Sequence, residues 1–249
     1  MGRCYVNVKS TIVFVSLCHI ANVTAVSVQY PALRTGRICN SLLPCPFWST
    51  GPSGTPSKHV VNKLNIQIPL KNSLSSQLRL QFEKSSDRWS HCWQLIDADG
   101  HVNDVLVSVE GSAEDNFPAS SAMQEINLHE LPTGHAVLGV GMAGKGHWSA
   151  SYSVEAGDQP SIKCDLACLL KQLGTDGQWL GSTYSVAENV TVEHNGLDVR
   201  FSVNGQSFTL TADPTYASID AESQQVQVVP TKISDSKTVA TRWLFSATS

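Results

Sequence analysis

The stretch that decides the fold is VTVEHNGLDVRFSVNGQSFTLTA, residues 190–212. Apolar and polar residues alternate on both sides of two pairs, Asn195-Gly196 and Asn204-Gly205. Strict alternation is typical of a half-buried strand. Asn-Gly is typical of the type I′ turn, because both central residues of that turn need positive φ. The stretch therefore predicts a three-stranded antiparallel meander.

The same alternation continues on both sides of the meander, and Asp99-Gly100 adds a third hairpin signal. No regular exchange of strands with long helical patterns occurs, which disfavours a parallel α/β sheet. We therefore predict an all-β, predominantly antiparallel fold, a sandwich or a barrel with at most one or two short helices. The further predicted strands contain Leu64–Ile68, Leu78–Phe82, Val105–Val109, Val226–Val228 and Trp243–Phe245.

One segment, residues 162–173, fits two patterns. Its leucines have helical spacing, with Gly174 available as a cap. The positions from Ile162 to Leu170 also alternate between apolar and polar residues as in a strand. We favour the strand, because every neighbouring segment is predicted to be one.

A glycine-rich run from Gly134 to Gly146 matches nucleotide-binding motifs in its residue pattern only. Gly139, Gly141 and Gly144 satisfy G-x-G-x-x-G, and Lys145 almost completes a P-loop pattern. Both motifs need a helix directly after the glycines. The sequence that follows, HWSASYSVE, alternates like a strand. We therefore predict that the glycines let two strands cross, bulge or turn closely, and that no dinucleotide or P-loop site is present.

Composition excludes some partners. Hydrophobic residues make up 41% of the chain, charged residues 15%, and the formal net charge is −4. Lys and Arg are not clustered, so nucleic acid is not an expected partner. The seven cysteines lack zinc-ligand spacing, and we predict neither metal nor cofactor. Their disulfide connectivity is not determined by the sequence.

The chain divides into three predicted regions. Residues 1–25 have the charge, apolar core and small-residue order of a signal peptide. Residues 26–59 form a Pro/Gly/Ser-rich arm or linker, and residues 60–249 a single antiparallel β domain. The apolar run is too short to span a bilayer, so no integral membrane span is expected. The predicted location is secreted, periplasmic or in the cell envelope. The alternative is a cytoplasmic protein in which the apolar run is a buried strand.

Two aromatic groups are the candidate ligand-binding residues. In a strand, Trp89, His91 and Trp93 share one face and can stack a sugar ring, a planar ligand or a cation. His147 and Trp148 follow the glycine run. The more common role of such tryptophans is in the core.

These observations predict a non-catalytic binding or interaction module. Its expected partner is a small molecule, a glycan or another protein. The first alternative is a hydrolase or lyase that uses His147 or His91 as general base, with an acidic partner from Asp97–Asp104 or Glu114-Asp115. The second alternative is a structural component of a cell envelope.

Overall fold

In the computed structural model the described residues are 63–70, 73–112, 114–132, 134–144, 146–155, 157–170, 180–222, 224–231 and 238–247. The predicted signal peptide (1–25) and arm (26–59) lie outside them. The strands are, in chain order, β1 (Lys63–Leu70), β2 (Ser73–Ser85), β3 (Arg88–Ile96), β4 (Val102–Ser108), β5 (Glu125–Leu131), β6 (Gly134–Ala143), β7 (Gly146–Glu155), β8 (Ser161–Leu170), β9 (Ser182–Val186), β10 (Thr191–Asn195), β11 (Asp198–Val203), β12 (Gln206–Ala212), β13 (Ala217–Ala221), β14 (Gln225–Pro230) and β15 (Thr238–Ala247).

The strands form two sheets that pack together as a sandwich. One sheet has the order β1-β2-β3-β4-β9-β14-β13, and the other β10-β11-β12-β15-β8-β7-β6-β5. In the part of the chain that the structure describes, all strand pairs are antiparallel and the sheets do not close into a barrel. The prediction of an all-β antiparallel fold is confirmed. Among the described residues there is no helix long and apolar enough to cross a membrane.

The core lies between the inner faces of the two sheets. Side chains alternate between core and solvent along most strands, as the period of a strand requires. The largest fully buried side chains come from both sheets and include Trp93, Trp243, Tyr152, Tyr184, Phe82, Phe201, Phe208 and Phe245.

The meander forms as predicted, while its turns differ in detail. Asn204 and Gly205 both have positive φ, as a type I′ turn requires. At the other turn Asn195 pairs with Asp198, so the two loop residues are Gly196 and Leu197, and only Gly196 has positive φ. The Asp99-Gly100 signal belongs to a longer connection, since the flanking strands first pair at Ile96 and Val102. Gly100 still provides the left-handed position, with φ +85°.

The ambiguous segment is a strand where it is described. β8 runs from Ser161 to Leu170 and pairs with β7 and β15. Residues 171–173 lie outside the described residues. The strand prediction is therefore confirmed as far as Leu170.

The glycine run forms the β6–β7 hairpin, and HWSASYSVE is strand β7, as predicted. The glycines make room for residues 115–124, which we call the crossing segment. This segment joins both sheets: the Trp89 amide of β3 donates to Met123 O at 2.7 Å, and the Gln124 amide donates to Val140 O of β6 at 3.0 Å. A β-carbon at Gly139 would lie 2.8 Å from Met123 Sδ. At Gly141 the close contact is with the backbone of Ala122, so the crossing segment leaves no room for a side chain there.

Because of a β-bulge in β4, one part of the predicted alternation is wrong. The alternation of Val105, Val107 and Val109 predicts that all three face the core. Instead Val105 and Leu106 are both buried, and Val107 is exposed. The pairing shifts by one residue opposite Trp93 and Gln94 of β3. Because an extra residue reverses the alternation beyond it, the following polar residues turn inward.

Candidate functional site

The five predicted ligand-binding residues are divided between two faces. Trp89, His91 and Trp93 share the inner face of β3, as expected from their spacing, and all three are buried. Trp148 is buried on the inner face of β7. Its neighbour His147 is half-buried and lies on the opposite, outer face. A single ligand surface made of all five side chains is therefore not formed, and their binding of a ligand stays a prediction.

His91 is enclosed by aromatic side chains. Its Nε2 lies 3.2 Å from the Tyr184 hydroxyl, and its ring centroid is 5.6 Å from that of Tyr152 and 5.8 Å from that of Phe82. Its backbone amide donates to Ser108 Oγ at 2.8 Å. Burial lowers the pKa of His91 to about 4, so the ring is neutral at neutral pH.

The outer face around His147 carries large apolar side chains. In the strand register His147 lies between Met142 of β6 and Leu169 of β8. We call the following four side chains the outer apolar patch: Leu138, 41% exposed, Val140, 52%, Met142, 54%, and Leu169, 50%. The adjacent positions of β7 on this face are serines 149, 151 and 153. Large exposed apolar patches are typical of an interaction surface.

Sequence alternation did not identify this patch. Leu138, Val140 and Met142 alternate with Gly139 and Gly141, and the larger residues of such a pair normally face the core. Here the glycine face is the inner one, because the crossing segment occupies the space beneath it. The sequence feature that could have indicated this patch is the alternation of glycines, which face inward, with large apolar residues, which face outward.

A second group of side chains, also missed, lies where the crossing segment meets β3 and β4. We call Arg88, Glu110, Ser121 and Tyr152 the Glu110 cluster. All but Glu110 are almost fully buried, and Glu110 is half-buried. Each has a buried oxygen or nitrogen without a hydrogen-bond partner among the described residues: Arg88 Nη1, Glu110 Oε2, Ser121 Oγ and Tyr152 Oη.

Electrostatic interactions connect these four side chains. Burial raises the pKa of Glu110, while the Ser108 hydroxyl, which donates to its Oε1 at 2.6 Å, and the nearby Arg88 charge both lower it. Burial raises the pKa of Tyr152, and the Glu110 charge raises it further. Ser121 lies close enough to lower the pKa of Tyr152, although the two oxygens do not form a hydrogen bond of good geometry.

Of the acidic residues predicted as catalytic partners, three have hydrogen-bond partners of their own. Asp97 accepts the backbone amides of Asp99 and His101 and so closes the β3–β4 loop. The backbone bond from His101 is the main cause that lowers the pKa of Asp97. Asp104 lies on β4, not in the loop, and accepts from Gln94. Asp115 accepts the Ser112 amide at 2.6 Å, which lowers its pKa.

Possible metal donors occur in the same loop. Single donor atoms of Asp97, Asp99 and His101 lie within 4.8 Å of one another. His101 Nδ1 is 3.0 Å from Asp97 Oδ2, so this pair already satisfies one carboxylate oxygen. Closing the loop is therefore enough to explain why these three side chains lie close together.

Comparisons with known proteins add no assignment. No known family model matches the chain, and no curated protein is similar to it.

Proposed function

We propose that this protein is a non-catalytic interaction module that binds another protein through the outer face of β6–β8. The observation that carries the proposal is the outer apolar patch, whose four large side chains lie on β6 and β8, on either side of β7, and are each about half exposed. Leaving such side chains in water is unfavourable, and a partner that covers them recovers that free energy.

The free energy gained by covering the outer apolar patch indicates the kind of partner. Full burial of a Val, Leu or Met side chain stabilises by roughly 1.5–3 kcal/mol, so covering a half-exposed one contributes about 1 kcal/mol. Four such contributions are modest beside the cost of association. A partner therefore has to make further contacts, such as hydrogen bonds with the neighbouring serines of β7. A protein surface does this more readily than a small molecule, because the strands present a broad face.

The hydrolase alternative has less support from the geometry. His91 is buried and has a pKa of about 4, so it is a weak base at neutral pH. His147 has no hydrogen bond or ion pair with a carboxylate among the described residues. A general base needs an orienting partner within hydrogen-bond reach.

Site-specific photocrosslinking in the native host cell tests the proposal. A photoreactive phenylalanine derivative replaces Met142, and a matched derivative replaces Glu193 on the exposed strand β10 of the same sheet. We expect one dominant protein adduct at position 142, none at position 193, and loss of the adduct when Val140→Lys is added.

The adduct identifies the class of function. A heterologous protein whose crosslink depends on Val140 supports the interaction module. A second copy of this chain supports the structural alternative instead. Equal labelling at both positions, or an adduct that survives Val140→Lys, overturns the proposed surface.

A further inference from the structure

We propose that two copies of this chain form a symmetric dimer in which their β5 strands pair antiparallel about Asn127, independently of the outer apolar patch. β5 (Glu125–Leu131) is the last strand of the eight-stranded sheet, and among the described residues it pairs with β6 alone. Alternate residues along its other edge therefore direct amide and carbonyl groups away from the sheet. A strand that pairs with this edge completes those hydrogen bonds.

In the described part of the chain, the other three end strands carry features that oppose such pairing. β1 contains Lys63 and Pro69, and its pairing with β2 is irregular after Pro69. β10 and β13 are only five residues long. Lysine, proline, bulges and shortness all protect the edge of a sheet. β5 has seven residues without lysine or proline, and its Leu128 is 47% exposed. It is therefore the end strand best suited to pair with another chain.

The sequence of β5 complements itself in this register. A two-fold axis perpendicular to the sheet, passing beside Asn127, keeps each side chain on its own face. Ile126 of each copy then lies opposite Leu128 of the other on the inner face, and Glu125 lies opposite His129 on the outer face. Apolar pairs stabilise directly opposed strands. The His129 imidazole can donate a hydrogen bond to the Glu125 carboxylate whether it is neutral or protonated.

The next symmetric register does not have this complementarity. If the axis passed beside Leu128, Ile126 would lie opposite Glu130, and Glu125 opposite Leu131. Each of these pairs sets an apolar side chain against a carboxylate. A strand of another protein would have to supply the complement that β5 already contains, which favours a second copy. The contact involves residues 125–129 of each copy, far fewer than the roughly 20–30 residues per side of a standard interface, so the dimer should be weak.

Sedimentation velocity of the full chain over a roughly hundredfold range of concentration tests the dimer. We expect a reversible change from monomer to dimer. His129→Glu sets two glutamates opposite each other and should weaken association roughly tenfold, and adding Glu125→Lys should restore it. His194→Glu makes the same charge change on β10, at the other end of the sheet, and should have no effect. A chain that stays monomeric throughout, an equal loss in His194→Glu, or no rescue by Glu125→Lys overturns the proposal.

Disulfide trapping tests the register, and a patch variant separates this dimer from the proposed function. Asn127→Cys sets two thiols directly opposite, and oxidation should link the two position-127 side chains, as seen by peptide mass spectrometry. Glu193→Cys on β10 is the matched control, and the unaltered chain accounts for the native cysteines. Leu169→Lys in the outer apolar patch should leave the dimer intact. Absence of the 127–127 link, equal trapping at position 193, or loss of the dimer in Leu169→Lys contradicts pairing through β5.

Discussion

The carbonyl oxygen of Ala122 lies directly over Gly141, so that a β-carbon at Gly141 would be only 2.0 Å from it. Gly141 belongs to β6, and Ala122 belongs to the crossing segment that joins the two sheets. The same segment supplies Ser121 of the Glu110 cluster. Close approach of two backbones is therefore what the glycine run provides.

Gly141→Ala should destabilise the protein by about 3 kcal/mol, because a methyl group would displace the backbone of Ala122. Gly157→Ala is the matched control: nothing lies within 4 Å of its added β-carbon, and its φ is not in the left-handed region. Urea unfolding of both variants measures the difference. Equal stability of the two variants would show that the crossing segment does not constrain Gly141.

The fold could be predicted from the sequence because its signals are local. The meander follows from alternation and from Asn204-Gly205, which needs only neighbouring residues to set its turn. The strand β7 follows from alternation after Gly146. Choosing the sandwich over the barrel needed the order of distant strands, which no local pattern contains.

The candidate sites depend on long-range packing, and for this reason the sequence did not reveal them. The bulge in β4 turns Ser108 inward and leaves Val107 exposed, which reverses the pattern of VLVSVE. Alternation alone places Glu110 outside with Ser108. Arg88 is buried although it shares the outer phase of β3 with Ser90. Both outcomes depend on residues far away in the chain.

Burial of His91 should make stability depend on pH. Its pKa is about 4 in the folded state and 6.5 as a free side chain. The unfolded chain therefore binds the proton first, and stability falls as pH decreases from 6.5 towards 4, with no further loss below 4 from this group. The total loss is about 3 kcal/mol. Urea unfolding across this range measures it.

A neutral replacement isolates the contribution of His91. The variant His91→Asn should lose this part of the pH dependence, whatever its stability at neutral pH. His129→Asn on the exposed strand β5 should keep it. A wild-type imidazole that titrates near 6.5 by NMR would contradict the buried neutral state.

The turn between β2 and β3 contains a strained residue. Ser85 pairs with Arg88, so Ser86 and Asp87 are the loop residues, and Ser86 has φ +56°. Glycine adopts this conformation without steric cost. Ser86→Gly should therefore stabilise the protein by about 0.5 kcal/mol, after the larger entropy of glycine in the unfolded chain is taken into account.

The same replacement within a strand should have the opposite sign. Ser218 is exposed on β13 and pairs with Val229. Ser218→Gly should destabilise by about 0.5–1 kcal/mol, because glycine weakens a strand interior. Chemical unfolding compares the two variants. Loss of stability in both would mean that Ser86 is not strained.

Two methionines report directly on the proposed interaction surface. Met142 in the outer apolar patch is 54% exposed, whereas Met123 in the crossing segment is 3% exposed. Because oxidation of methionine requires access of the oxidant to sulfur, dilute peroxide should oxidise Met142 first and Met123 only after unfolding. Peptide mass spectrometry gives both rates in one sample. Protection of Met142 that disappears on dilution would indicate that a second copy covers the patch, and equal rates at both sites would contradict the placement of the crossing segment beneath β6.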